Sequence, residues 1–110
     1  MFFFWKLGKS VYKKQHLVEN ITLKYSEFFS YYYGMSTTFS VSNINYMKKF
    51  YNCFPLYIEK LSDLSFEHYK LLVNINEFSK RYFYFRIAMF CRSSVEELDL
   101  MISNDLYEGI

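Results

Sequence analysis

The chain is 110 residues long, 52% hydrophobic and 22% charged, with a formal net charge of +2. That length suits one domain with a single core of modest stability margin. The composition excludes an intrinsically disordered chain, and so small a net charge excludes a polyanion binder acting by bulk charge alone.

Proline and glycine are scarce, at one and three residues, and no sustained alternation of apolar and polar residues occurs, so helices are predicted throughout. The first runs from Trp5 to about Lys14. The second spans about Leu17 to Tyr33, with Leu17, Ile21, Tyr25 and Phe28 at helical spacing on one face. Gly34 follows as the residue that accepts a left-handed backbone at a helix end, and residues 35–39 connect. A third helix starts at Ser42, whose hydroxyl can cap free N–H groups. Its apolar stripe is Ile44, Met47, Tyr51 and Phe54, and Pro55 stops it. Ser65 caps a fourth helix that turns Phe66, Tyr69, Leu72 and Val73 inward. The fifth, about Glu77 to Cys91, is apolar on most sides and is expected to be central. The sixth opens with the capping box Ser94-Val95-Glu96-Glu97, after which Val95, Leu98, Met101, Ile102 and Leu106 share a face. The expected fold is all-α, a compact orthogonal bundle of about five to six short helices. No repeat, low-complexity tract or linker divides residues 1–110, which read as a single domain.

Charge is distributed unevenly. Residues 1–54 carry seven lysines against two glutamates, or +5, whereas residues 93–110 carry five acids and no Lys or Arg, or −5. A basic front half suits phosphate and an acidic tail would face away from it. A solvated surface without a partner accounts for the same pattern. Aromatic content is 24%, with 13 Phe and 12 Tyr. AT-rich codon usage explains such a bias. So does a surface built for stacking on bases or for a protein interface.

Catalytic chemistry has little to work with. His16 and His68 are the two histidines, and each reads as solvent-facing or helix-capping rather than as a base beside a nucleophile. Glu96 and Glu97 fit the charge preference of a helix N-terminus. Gly8, Gly34 and Gly109 are isolated and form no phosphate loop. Cys53 and Cys91 lack metal-ligand spacing and suit reduced thiols in the cytoplasm. The apolar opening Met1-Phe2-Phe3-Phe4-Trp5 is too short for a signal segment, and no run reaches membrane-spanning length. The expectation is a non-enzyme without metal or cofactor and without a membrane partner.

Several short motifs follow one another along the chain: Trp5-Lys6-Leu7-Gly8-Lys9; Phe39-Ser40 through Asn43-Ile44, Met47 and Phe50-Tyr51, then Phe54-Pro55; Leu64-Ser65-Phe66-Glu67-His68-Tyr69; Arg81-Tyr82-Phe83-Tyr84; Ser94-Val95-Glu96-Glu97-Leu98; and Leu106-Tyr107. Over nearly the whole chain this series resembles the N-terminal helical domain of the YhcG family, whose full-length members carry a PD-(D/E)XK nuclease domain after it. Here Phe66 and Ser93 stand where that pattern has tryptophans, Glu96 and Gly109 where it has arginines, and no nuclease domain follows within these residues. The stretch Leu64 through Leu98 also resembles the helix-turn-helix region of ParB-type proteins.

These resemblances imply a helix-turn-helix-like core and a nucleic-acid-binding module, with DNA as partner. Its recognition helix would be the third, offering Asn43, Asn45, Tyr46, Lys48, Lys49 and Asn52 to base edges and phosphates. Lys6, Lys9, Lys13 and Lys14 would add phosphate contacts. The alternative is a small protein-binding regulator of a defence nuclease, of phage or mobile-element type, acting through exposed aromatics and the acidic tail. Homodimerisation through surplus aromatics is compatible with either.

Overall fold

A computed structural model describes residues 1–109. Among them are six α-helices and no strand: α1 (Phe2–Lys14), α2 (Ile21–Tyr33), α3 (Val41–Cys53), α4 (Phe66–Leu72), α5 (Phe78–Cys91) and α6 (Val95–Ser103), with a short 3-10 helix at Glu59–Asp63 before α4. The all-α expectation holds. Contacts group the chain into two compact units, Met1–Tyr57 and a second beginning at Ile58.

The first unit is α1 laid against α3, with α2 packed on both. Gly8 sets the α1–α3 approach. A Cβ at this position would overlap the backbone carbonyl of Met47, so only glycine lets the two helices come this close. Val11, Ile44, Met47 and Phe50 are fully buried around the crossing. Trp5 fastens one end, its indole Nε1 donating to the carbonyl of Phe54 at 2.7 Å. That carbonyl lies just past the C-terminus of α3, where carbonyls lack helical partners, and Pro55 follows it.

Several expectations need correction. α2 begins at Ile21, not Leu17, because Asn20 takes a left-handed backbone (φ 55°) and breaks the helix before it. Leu17 therefore sits in the preceding turn, 82% exposed. Phe28 is also exposed, and the inward face of α2 includes Ser26, whose buried hydroxyl donates to the carbonyl of Phe39 at 2.7 Å. Ser40 rather than Ser42 caps α3, accepting from the Asn43 N–H at 3.1 Å. The third core position of α3 is Phe50, one residue before the expected Tyr51. Gly34 ends α2 as foreseen, with φ 65°.

In the second unit, side chains satisfy exposed backbone groups at several joints. The Ser94–Glu97 capping box forms in both directions: the Glu97 N–H donates to Ser94 Oγ at 3.1 Å, and the Ser94 N–H to Glu97 Oε1 at 2.9 Å. A second box, which the sequence did not announce, pairs Ser65 with His68. Tyr84 is buried, and its hydroxyl accepts from the Tyr107 N–H at 3.0 Å and faces the Met101 carbonyl at 3.3 Å. Arg81 donates to the Ile75 carbonyl at 2.7 Å. α5 is not the central helix expected. It buries Tyr84, Phe85 and Ala88 but exposes Phe78, Tyr82 and Phe90, the last 91% accessible.

The Glu97 pairing makes the start of α6 sensitive to acid. The Ser94 backbone N–H, helped by the Ser94 hydroxyl, favours the charged carboxylate and lowers its pKa from the ordinary 4.5. A depressed folded-state pKa adds stability that is complete above the ordinary glutamate range and disappears as pH falls through the folded value. Hydrogen exchange should show α6 amides losing protection between neutral pH and pH below about 4. Glu97→Ala should remove the part of that loss specific to the first turn.

Candidate nucleic-acid interface

The residues proposed from sequence fall into three groups. On α3, Asn45, Lys49 and Asn52 form one line opposite the buried Ile44, Met47 and Phe50, as their spacing of four and three residues dictates. Lys49 holds its ammonium 5.6 Å from the centroid of the neighbouring Tyr46 ring. Two other α3 residues are turned elsewhere. The Asn43 amide donates to the Thr37 and Thr38 carbonyls at 3.0 and 3.2 Å, bracing the connector before α3. Lys48 donates to the side-chain oxygen of Gln15 at 3.2 Å, tying α3 to the residue after α1.

The third group lies on α1. Lys6, Lys9, Lys13 and Lys14 line one open hollow of about 320 Å³ together with Phe2 and Trp5. Lys6, Lys9 and Lys13 follow one another at three- and four-residue spacing on the side away from buried Leu7 and Val11. Lys14 is turned toward α2, donating to the Tyr25 hydroxyl at 3.3 Å. The ammonium of Lys9 sits 5.3 Å from the Trp5 ring and that of Lys6 5.8 Å from the Phe2 ring. Among the described residues the ion pairs are Lys70–Glu67 and Lys80–Asp105, both in the second unit. Among the described residues, therefore, no carboxylate forms an ion pair with the α1 stripe. The first unit carries seven lysines and two glutamates, or +5, and the residues from 58 onward six basic and nine acidic side chains, or −3.

Sequence reasoning missed the rings beside these lysines. Phe2 and Tyr12 project from α1, 49% and 38% exposed, next to the lysine stripe. The spacing of Phe2, Lys6, Lys9 and Lys13 carried that signal, obscured by the abundance of aromatics elsewhere.

Little else competes as a site. His68 spends both ring nitrogens inside the fold: Nδ1 accepts from the Ser65 N–H at 3.0 Å, and Nε2 lies 2.8 Å from the Ser93 carbonyl, to which it donates. Its capping role matches one of the two readings made for it. Cys53 and Cys91 form no disulfide. No metal-holding group of His, Cys, Asp and Glu occurs among the described residues, and no described helix is long and apolar enough to cross a membrane.

The residues that carry the motif series are largely those that hold the fold: Trp5 at the end of α3, Gly8 at the helix crossing, His68 and Glu97 at the capping boxes, Tyr84 at Tyr107. Neither a curated protein nor a solved structure gives a match, and nothing found bears on the ParB-type likeness. The family model of the DUF1016 N-terminal domain matches residues 1–109, in agreement with the YhcG-type motif series, and the chain belongs to that family.

Proposed function

We propose that this chain is a non-catalytic nucleic-acid-binding module that engages its ligand through the first unit, in the cytoplasm. The observation that carries this reading is the row Lys6, Lys9 and Lys13 on α1, with no carboxylate partner among the described residues. Like charges three and four residues apart oppose helix formation slightly. Such a row is better accounted for by a polyanion that neutralises it. Phosphate contacts of this kind position a protein and supply most of its sequence-independent affinity. The helix-turn-helix reading gives α3 the part of recognition element, since Asn45 and Asn52 have the amides that suit base edges and Lys49 a cation for phosphate. Lysine in place of arginine throughout the first unit favours phosphate contact over bidentate guanine reading.

Fluorescence anisotropy with labelled DNA from about 50 to 200 mM salt tests this. Affinity should fall steeply with salt. The double variant Lys9→Ala/Lys13→Ala should weaken binding and reduce the slope of log K against log salt by roughly two. An unchanged slope in that variant would remove α1 from the interface.

A second reading, a protein-binding regulator of a nuclease, draws on the uncovered apolar side of α5 and on the acidic side chains of α6 and the residues after it. Tyr82 and Phe90 are exposed on α5, and Glu96 and Asp99 on α6. Co-purification with a nuclease, insensitive to salt and lost in Phe90→Ala, would favour it over the first.

A further inference from the structure

We infer that the α1 face is a stacking platform for an unpaired strand, so that the module takes single-stranded nucleic acid on this surface in preference to duplex. The inference rests on the nucleic-acid reading above and narrows it. Five rings of the first unit make an unbroken run. Phe2 meets Tyr57 edge-on at 4.9 Å between centroids, Tyr57 meets Trp5 at 5.6 Å, Trp5 meets Tyr51 at 5.4 Å, and Tyr51 meets Tyr12 at 5.5 Å. The middle of the run is fixed, because Trp5 is 7% exposed and bonded to the Phe54 carbonyl. The two ends, Phe2 and Tyr12, are open to solvent.

The open rings are ten positions apart in the helix, about 15 Å along the axis. Lys6 and Lys9 lie between them along the axis, and Lys13 follows Tyr12, about 100° further around the helix and in line with Phe2 and Lys6. The Tyr12 hydroxyl makes no hydrogen bond and the Lys13 ammonium no ion pair among the described residues. Alternating cations and half-open rings, held on a rigid backing, are the arrangement by which proteins bind strands without reading sequence: cations follow phosphates and rings take base faces. A duplex offers the cations the same phosphates but keeps its base faces stacked on one another, so it leaves the rings unused.

A lipid surface would also attract lysines. It requires an apolar helix face free to enter the acyl boundary. The apolar face of α1 is already committed, with Leu7 and Val11 buried and Gly8 against the backbone of Met47. Of the rings α1 leaves exposed, Phe3 leans on Phe29, Tyr33 and Phe39, and Phe2 and Tyr12 flank the lysine row, an arrangement that suits bases better than acyl chains.

The test uses the whole protein and a labelled twelve-nucleotide oligothymidylate, free and annealed to its complement, with anionic phosphatidylserine vesicles as a third probe. The single strand should bind at least tenfold tighter than the duplex. Tyr12→Ala and Phe2→Ala should each lower single-strand affinity roughly ten- to hundredfold while leaving the salt slope unchanged. Tyr12→Phe, which keeps the ring, should bind like the parent. Far-UV circular dichroism confirms that each variant is folded, and Tyr12→Leu, which keeps apolar cover over Tyr51, repeats the loss if Tyr12→Ala is not. Equal affinity for strand and duplex, or folded ring variants that bind as the parent does, would overturn the platform and leave the lysine-based reading standing. Absence of binding to either oligonucleotide at low salt would overturn both. Binding to vesicles without binding to the strand would overturn both in favour of a lipid surface.

Discussion

Replacing Gly8 with alanine is expected to destabilise the protein by about 2 kcal/mol or more, despite alanine being the better helix former. Glycine within a helix costs about 1 kcal/mol relative to alanine, so at an open site the change would stabilise α1 by that amount. Position 8 is not open. The added methyl would lie inside the van der Waals envelope of the Met47 carbonyl carbon and oxygen and close to the Lys48 nitrogen. None of these atoms is the movable end of a side chain, so relief requires α1 and α3 to separate. Separation loosens Val11, Ile44, Met47 and Phe50, all fully buried. Overpacking costs typically about 1–3 kcal/mol and occasionally more; a clash onto backbone belongs at or above the top of that range. For a small domain the net loss corresponds to a fall of roughly 10 °C in melting temperature, measurable by differential scanning calorimetry. A melting temperature equal to or above the parent's would show that the helices are not held at this distance.

His68→Ala should cost about 2–4 kcal/mol, read from the urea midpoint. The imidazole closes the α4 capping box by accepting from the Ser65 N–H and also donates to the buried Ser93 carbonyl, 25 residues away in the chain. Ser93 precedes the cap of α6, so one side chain joins the start of α4 to the α5–α6 connection. Alanine removes a cap, worth about 0.5–2 kcal/mol. It also leaves the Ser93 carbonyl buried without this donor, at about 1–3 kcal/mol. Gln, whose amide both accepts and donates, should recover part of the loss, whereas Leu, equal in bulk but unable to bond, should not. If Leu matches Gln, His68 acts by packing alone.

Sequence reasoning succeeded at other positions. Features confined to a few adjacent residues were legible. The Ser94–Glu97 box, Gly34 at the end of α2 and Pro55 after α3 each follow from backbone chemistry within a turn or so. Local ambiguity produced the errors nearby. Ser40 and Ser42 are both competent caps, and only the placement of the Asn43 N–H decides between them. Leu17 fits the period of α2, but the left-handed Asn20 lies between it and the helix. Pairings across the fold were not legible. Asn43 and Lys48 read as solvent-facing polar residues, but their amide and ammonium groups meet the Thr37 and Thr38 carbonyls and Gln15. α5 has apolar residues on every side, so its pattern could not say which side is covered. The candidate site suffered most from this. Lysines stand out by charge, but the rings of the proposed stacking surface were lost among 26 aromatic residues.

Trp5 is the only tryptophan, and it belongs to the first unit. Its indole is bonded to the Phe54 carbonyl and lies within energy-transfer range of Tyr51 and Tyr57. Emission excited at the red edge of the absorption band therefore reports on residues 1–57 alone, whereas far-UV dichroism sums over all six helices. If the two signals share one denaturation midpoint, the halves of the chain unfold as one cooperative system. If the emission transition is displaced, they melt separately, and the protein carries its own optical label for the unit that holds the proposed interface.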